Sequence, residues 1–546
     1  MAIGAAVKQG QFEDAAMVLG DRLKAGSLYR LLADEGHRLF PDNYFADLFV
    51  ATPRGRPTIP ARTVATVMLL QSFEGLSDRE ACDRLAFDLR WQAAAGLSTG
   101  AESFHPTVLV GMRNRLRASE GPKRLHEDTL VPAREAGVLK GRARVLDSTA
   151  LYDAVATQDT VTQLRAAIRK VLATVAPAVA AEIRSVLRRD DDYATIGKPP
   201  CDWDDAAARD ALVDALVRDA HAALACLDGH VLEGVVAEAA ALLALVAGQD
   251  VAAGEDGTFR IVRGVAKDRT ISTVDTEARH GHKSSNRRFD GYKTHVSVDP
   301  DSELIAAATA TPGNTADRDA IDELLAEPGA DPEEAKPEVV GDSAYADGAT
   351  LDSLAHQGYE VVAKVPPARN GTGGFTKDRF GIDLEASTVT CPAAQTVAIT
   401  FGRRGGRASF AAHCAICPLR ADCTASVAGR SITIHPHEAA LQRAKTAQRS
   451  EEWKDQYRTD RPIVERKIAH FTRRAWVGAG PGYGGWSGSR PMSPPGPASS
   501  TGLAWPCWAC IPLRAAGPSA DRTGGDRTRR ERMSYRESTQ IPSTSR

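Results

Sequence analysis

At 546 residues with a formal net charge of −2, the chain exceeds one comfortable hydrophobic core, and about three or four domains, or one core with large insertions, are expected. Its 43% hydrophobic and 25% charged residues are those of an ordinary globular protein. The near-neutral charge excludes a uniformly basic nucleic-acid wrapper, so any DNA contact has to come from local basic patches.

The first residues, Met1 to Lys8, lack the basic-then-apolar order of a secretory signal, which points to a cytoplasmic location. Residues 1–140 carry helical patterning. Ala61 to Phe73 has apolar positions at helical spacing and is broken by Gly75-Leu76. Ser77-Asp78-Arg79-Glu80 is a capping box that opens a helix ending near Ala95-Gly96. Pro106 starts another helix, which bears Arg113, Arg115 and Arg117. Short helices ending in an Arg-bearing one fit a helix-turn-helix DNA reader, with Arg113 and Arg115 as candidate DNA-binding residues. A helical bundle with a solvated basic face would carry the same pattern.

Val145-Leu146-Asp147 is an apolar run closed by an acid, and Val339-Val340-Gly341-Asp342 repeats the arrangement. Both carboxylates are expected at the ends of buried strands. Between them, 160–250 reads as an all-helical insertion interrupted at Gly197 to Pro200. Its longest apolar stretch, Val235 to Val246, is shorter than the ~20 residues of a membrane span. No membrane partner is expected. Tyr292–Val298 and Leu304–Ala310 flank Asp299-Pro300-Asp301-Ser302 and read as a hairpin. A helix from Asp317, the strand bearing Asp342, a helix over Leu351–Gln357 and a strand over Glu360–Val365 follow. Glu465 lies in a helical segment, Arg461 to Ile468.

This order predicts an α/β fold: a ribonuclease-H-like catalytic core, whose first and fourth strands lie side by side, so that Asp147 and Asp342 converge. The core would comprise 141–159 and 251–385, with a helical N-terminal DNA-binding domain (1–140), the helical insertion (160–250), a small Cys-rich insertion (386–430) and a C-terminal catalytic helix region (431–475).

Hydrolysing or transferring a phosphodiester needs an activated oxygen, an in-line leaving group and neutralisation of phosphate charge. Two Mg²⁺ (or Mn²⁺) ions roughly 3.5 to 4 Å apart supply all three, and such hard cations select carboxylate oxygens. Asp147, Asp342 and Glu465 are the candidate metal-holding and catalytic acids, with Asp147 suited to bridge both ions. Each has a bland alternative: an acid closing a strand is commonly a turn former or cap, and a Glu beside Arg and Lys is commonly part of a solvated face. Glu452, just before Trp453, is the nearest rival to Glu465. Lys283, Lys293 and His295 lie between the aspartates and are candidate phosphate-gripping residues; a solvated basic hairpin face is the alternative.

The chain resembles the DDE-type insertion-sequence transposases over roughly residues 40–475, most closely the insertion sequence eleven-eighty-two group, related to the insertion-sequence-four superfamily. The resemblance rests on Val145–Ala150, Arg279–Lys283, Phe289–Val296, Pro312-Gly313-Asn314 with Asp317, and Val340–Gly348. It implies metal-dependent cleavage at element ends that frees 3′ hydroxyls, their transfer into target DNA, and action as a homodimer or higher multimer on terminal inverted repeats, at the nucleoid. It also implies a tyrosine, arginine, glutamate, lysine signature on the last helix. Tyr457, Arg461 and Glu465 fill its first three places, as DNA-contacting residues and third acid, although the Tyr-to-Arg spacing is one longer than usual; the basic place falls to Arg473 or Arg474. A decayed transposase that only binds DNA, and a ribonuclease-H-fold nuclease, are the competing readings.

Cys391, Cys414, Cys417 and Cys423, including one CxxC, lie in a Gly/Arg-rich segment with little apolar pattern, and a structural Zn²⁺ on four thiolates is expected to fold it. His413 is an alternative ligand, and scattered reduced thiols are the plain alternative. From residue 476 to 546 the chain is Gly/Pro/Ser/Trp-rich without periodicity and has no Lys after Lys467, which reads as a disordered tail translated out of frame. Cys507 and Cys510 within it supply only two ligands.

Overall fold

Val145-Leu146, Val339-Val340 and Val362-Ala363 are apolar at consecutive positions, and side chains in a strand alternate between faces, so the strands that carry them need cover on both sides. They have it. In a computed structural model, which describes residues 14–471 except 42, 50–57, 122, 136, 140, 153–156, 192, 285, 327–335 and 372, these residues sit in a six-stranded sheet. Its strands are β1 (Ala143–Tyr152), β2 (Arg279–Ser284), β3 (Arg287–Val298), β4 (Ile305–Pro312), β5 (Glu338–Gly341) and β6 (Val361–Ala363). The expected tail and Arg473 and Arg474 lie outside the described residues.

The long β3 runs antiparallel to β1 along one edge, and along the other it pairs first with β2 and then with β4. Beyond β1 come β5 and β6, both parallel. First and fourth strands of the core, β1 and β5, are therefore neighbours, as a ribonuclease-H-like order requires. On one face, Leu146, Val339 and Ala363 pack with Ile321, Leu324, Leu351, Leu354 and Ala440 from three helices. Val145, Val340 and Val362 pack on the other against Ile463 and Val464 of the helix Glu451–Phe471. Each such fully buried aliphatic side chain contributes roughly 1.5–3 kcal/mol, and this clamps the last helix to the sheet.

Inserted after β1, the helices Thr160–Thr174, Pro177–Val186, Ala206–Leu227 and Gly234–Gln249 share a core of their own. Upstream, the helices Leu28–Leu39, Ala61–Glu74, Asp78–Phe87, Leu89–Ala94 and Thr107–Ala118 enclose Trp91. Gly75 ends the second of these at φ +68°, a backbone that Gly adopts without strain, and both halves of the Ser77/Glu80 capping box form. The helix opened by Ser77 does not run to Ala95: it stops at Phe87, because Asp88 accepts from Arg90 N and caps a separate helix. The helical group is joined to the sheet by His126 Nε2 on the Ile305 carbonyl (2.8 Å) and by Lys123 on Glu323 (2.6 Å).

The Cys-bearing segment has more core than its composition suggests. Two three-stranded sheets enclose Phe380, Val389, Ile399, Ala408, Phe410, Ile432 and Ile434, so the unit begins before residue 386 and ends after 430. No helix among the described residues is long and apolar enough to cross a membrane.

Candidate active site

Parallel pairing of β1 with β5 ends at Val145 opposite Val340. Asp147 and Asp342 each lie two residues beyond that pair. Asp342 follows the end of β5, whereas Asp147 does not close its strand as expected but sits midway along β1, opposite Val296, because β1 runs on to Tyr152 paired with β3. Gly341 makes the approach possible, since a Cβ there would stand 2.8 Å from the Tyr345 ring. Asp342 caps the short helical turn Ser343–Tyr345 by accepting from Ala344 N at 2.8 Å. Asp147 accepts from Ser148 N at 2.8 Å and from Arg461 Nη2 at 2.9 Å. Burial pushes the Asp147 carboxyl above its ordinary range; the Arg461 charge opposes this, and neighbouring Asp342 adds to it.

Arg461 comes from the last helix, where Asp460, Arg461, Ile463 and Val464 form the buried face. One turn further, Glu465 is 62% exposed and stands 3.9 Å from the same guanidinium. One turn earlier is Tyr457, stacked on Trp453 with ring centroids 4.9 Å apart. Burial raises the Tyr457 phenol, Arg461 opposes, and Asp342 and Glu465 are close enough to add. Tyr457, Arg461 and Glu465 thus recur every four residues along one side of a helix, so the longer Tyr-to-Arg spacing leaves Tyr457 on that side. Glu452 is exposed and nine residues before Arg461, about 13 Å along the axis.

Two further groups lie at the site, Asp317 and Tyr345, and neither stood out in the sequence as a site residue. Asp317 accepts from Ser148 Oγ and from Lys293 Nζ, both at 2.8 Å, which locks the residue next to Asp147. Tyr345 is buried among Asp317, Asp147 and Asp342, and burial first and these acids next push its phenol well up. Its Oη and Arg461 Nη1 are buried without a hydrogen-bond partner. The signal was present: Asp317 belongs to the Pro312–Asn314 motif, and Tyr345 to the segment that follows Asp342.

Carboxylate oxygens are the donor chemistry a Mg²⁺ or Mn²⁺ ion takes. The trio is nevertheless not closed: among the described residues no three His, Cys, Asp or Glu side chains stand ready to hold one ion. Like charges without a cation between them repel, and the guanidinium of Arg461 supplies the compensating charge to Asp147 and Glu465.

Other candidates fare unequally. Lys283 is exposed near the β2–β3 turn. Lys293 is turned to Asp317 and only 14% exposed. His295 does not reach a phosphate: it is 0% exposed and Nε2 bonds Thr311 Oγ1 at 2.8 Å. Alternation puts it on the same face as Lys293, two residues earlier, but this part of β3 is covered on both faces. Arg113 is held by Asp78 and Gln71, and Arg115 lies over the Phe49 ring at 5.0 Å, so both brace the helical group internally.

Burial pulls the His295 pKa from 6.5 to about 4. An imidazole depressed in the fold leaves stability intact above the unfolded value and withdraws it as pH falls toward the folded one, because the unfolded chain alone takes up the proton in that window. Between pH 7 and pH 5 the loss is about 2 kcal/mol. His295→Gln is expected to remove that part of the slope, read from amide-exchange protection in 291–298, corrected for intrinsic exchange, at the two pH values; an unchanged slope would refute the assignment.

The family model described as Transposase DDE domain matches residues 256–476, and the one described as Transposase domain (DUF772) matches residues 19–115. The first spans β2 to β6, Asp342 and the last helix; the second spans the helices around Trp91. No curated protein and no solved structure matches the chain.

Proposed function

Because the chain belongs to the DDE-type insertion-sequence transposases, we propose that it cuts the phosphodiester backbone at the ends of a mobile DNA element, one of the insertion sequence eleven-eighty-two group, and transfers the freed 3′ hydroxyls into target DNA. The observation that carries this reading is the Val145–Val340 pairing, which brings Asp147 and Asp342 to one sheet edge beside Arg461 and Glu465.

Asp147 would bridge two Mg²⁺ or Mn²⁺ ions, with Asp342 and Glu465 holding one each; bound there, such ions neutralise phosphate charge and activate the attacking oxygen. Arg461 favours the ionised form of Asp147 and draws the helix acid toward the sheet acids. Asp317, through Ser148 and Lys293, positions the part of β1 that carries Asp147. Lys283 and Tyr457 are left to meet the DNA backbone. The N-terminal helical group serves as the DNA-binding domain for terminal inverted repeats, and the protein acts at the nucleoid as a homodimer or higher multimer on paired ends. The match to the DDE model stops at residue 476, where the Gly/Pro/Ser/Trp-rich composition begins, and this supports an out-of-frame tail.

The test is a nicking and joining assay on duplexes carrying the element ends, with Mg²⁺ or Mn²⁺ and a target plasmid. Metal-dependent nicks followed by joined products are expected. Nicks that never join would make the protein a nuclease, and end binding without nicks a decayed transposase. Glu465→Gln is expected to abolish nicking, whereas Glu452→Gln keeps it within about two-fold; the reverse outcome would move the third acid to Glu452.

A further inference from the structure

Outside the acid-bearing site, four thiols far apart in sequence lie around one small cavity. Cys391 follows the strand Thr388–Thr390, Cys414 ends the turn of helix Ala411–Cys414, Cys417 lies just beyond it, and Cys423 ends the helix Arg420–Cys423. All four line a cavity of about 20 Å³, room for a single ion or water. Each is a free thiol, and those of Cys391, Cys414 and Cys417 are close enough to Cys423 to act on it electrostatically. The long gap between Cys391 and the CxxC, uninformative in sequence, holds one more strand of the first sheet, Thr396–Ala398, and two of the second, Thr400–Gly402 and Gly405–Ser409.

A backbone amide and two guanidiniums stand beside the thiols. Arg430 N donates to Cys414 Sγ at 3.4 Å. Arg420 and Arg430 line the same cavity, and Arg430 Nε is buried with no hydrogen-bond partner. A dry apolar void would leave that N–H unmet at a cost of about 1–3 kcal/mol. Four thiolates on a divalent ion carry two net negative charges, which two guanidiniums balance. His413 is also on the lining, but four thiols already fill a tetrahedron. No three of these side chains stand in final ligand position in the ion-free fold, and the thiols have to turn inward to close on an ion.

We infer that Cys391, Cys414, Cys417 and Cys423 form a structural zinc site that fastens the two small sheets of this unit to one another. The unit has its own apolar core, so zinc tightens it rather than creating it. Its edge is tied to the helix Glu438–Ala447 by Lys377 on Glu438, Lys445 on Asp378 and Gln442 on the Ile382 carbonyl. That helix leads directly into the one bearing Glu465, and the ion thereby steadies the insertion between second and third acids.

The test uses the full chain purified under reducing conditions in zinc-supplemented medium, with elemental analysis. About one zinc per chain is expected, falling at least five-fold in Cys414→Ser and Cys417→Ser. Cys82→Ser and the double variant Cys507→Ser/Cys510→Ser should retain it. Because the first two variants can fail to fold, Co²⁺ exchanged into the wild type provides a second readout: thiolate-to-cobalt charge-transfer bands and intense tetrahedral d–d bands. A zinc content near zero, loss of zinc in the Cys507/Cys510 double variant, or weak octahedral cobalt bands would overturn the inference. None of these readouts depends on DNA cleavage.

Discussion

Asp342→Asn is expected to lower metal-dependent nicking by roughly three orders of magnitude while leaving binding of element ends within about two-fold. Losing one preorganised charge-stabilising group commonly costs 10²–10³ in rate, and removing a metal-holding carboxylate takes away the cation's anchor as well. Asp342 is the cleaner of the two aspartates to test. Its protein partner is Ala344 N, and Asn keeps an acceptor for that bond. Asp147 is entangled with the fold, since Ala there would leave the 10% exposed guanidinium of Arg461 without its 2.9 Å partner. Asp147→Asn is therefore the variant to make, with the same expected loss. Single-turnover nicking measured beside gel-shift binding checks both. Cleavage within ten-fold of wild type in either variant would remove the acids from the chemistry.

The second large effect concerns stability. Arg144 and Asp299 are 1% and 0% exposed and pair at 3.2 Å, joining the start of β1 to the end of β3. Arg144→Met leaves Asp299 buried beside an apolar side chain. Removing one partner of a buried pair costs about 3–5 kcal/mol, whereas replacing both with apolar groups is often close to neutral. Asp299 also accepts from Ser302 N and Oγ, so Arg144→Met/Asp299→Leu should recover only part of the loss. Because the chain holds several cores, a single unfolding curve is not two-state. Amide exchange in 143–152 and 291–298 reads the effect locally. Protection in those strands falling by less than ten-fold in Arg144→Met would contradict the argument, because about 3 kcal/mol corresponds to a factor above one hundred.

Much of the site was legible before any coordinates. An apolar run ending in Asp marked a strand end at Asp342 but not at Asp147, where β1 runs on to Tyr152; two such runs in the order strand, hairpin, helix, strand still imply neighbours. Alternation cannot tell how many faces are covered: His295 looks like a residue on a basic hairpin, yet packing over both sides of β3 buries it. Arg461 was legible as a basic residue of the helix but not as the counter-charge of Asp147, because that pairing depends on how the last helix lies across the sheet. Asp317 gained its role in the same way, through a hydrogen bond to Ser148 across 169 positions.

The amino-acid sequence by itself determined most local elements, the caps at Ser77 and Gly75, the acid at the end of β5 and the family signature, since these follow from neighbouring residues. Only the tertiary structure decided which charges meet. It set the β1–β5 register that aligns Asp147 with Asp342, seated Arg461 against them, left Glu465 mostly exposed, and gathered four distant thiols around one small cavity. The physical reason is that burial and electrostatics act through space: the same Asp, His or Cys takes its protonation and its partners from what the rest of the chain packs around it.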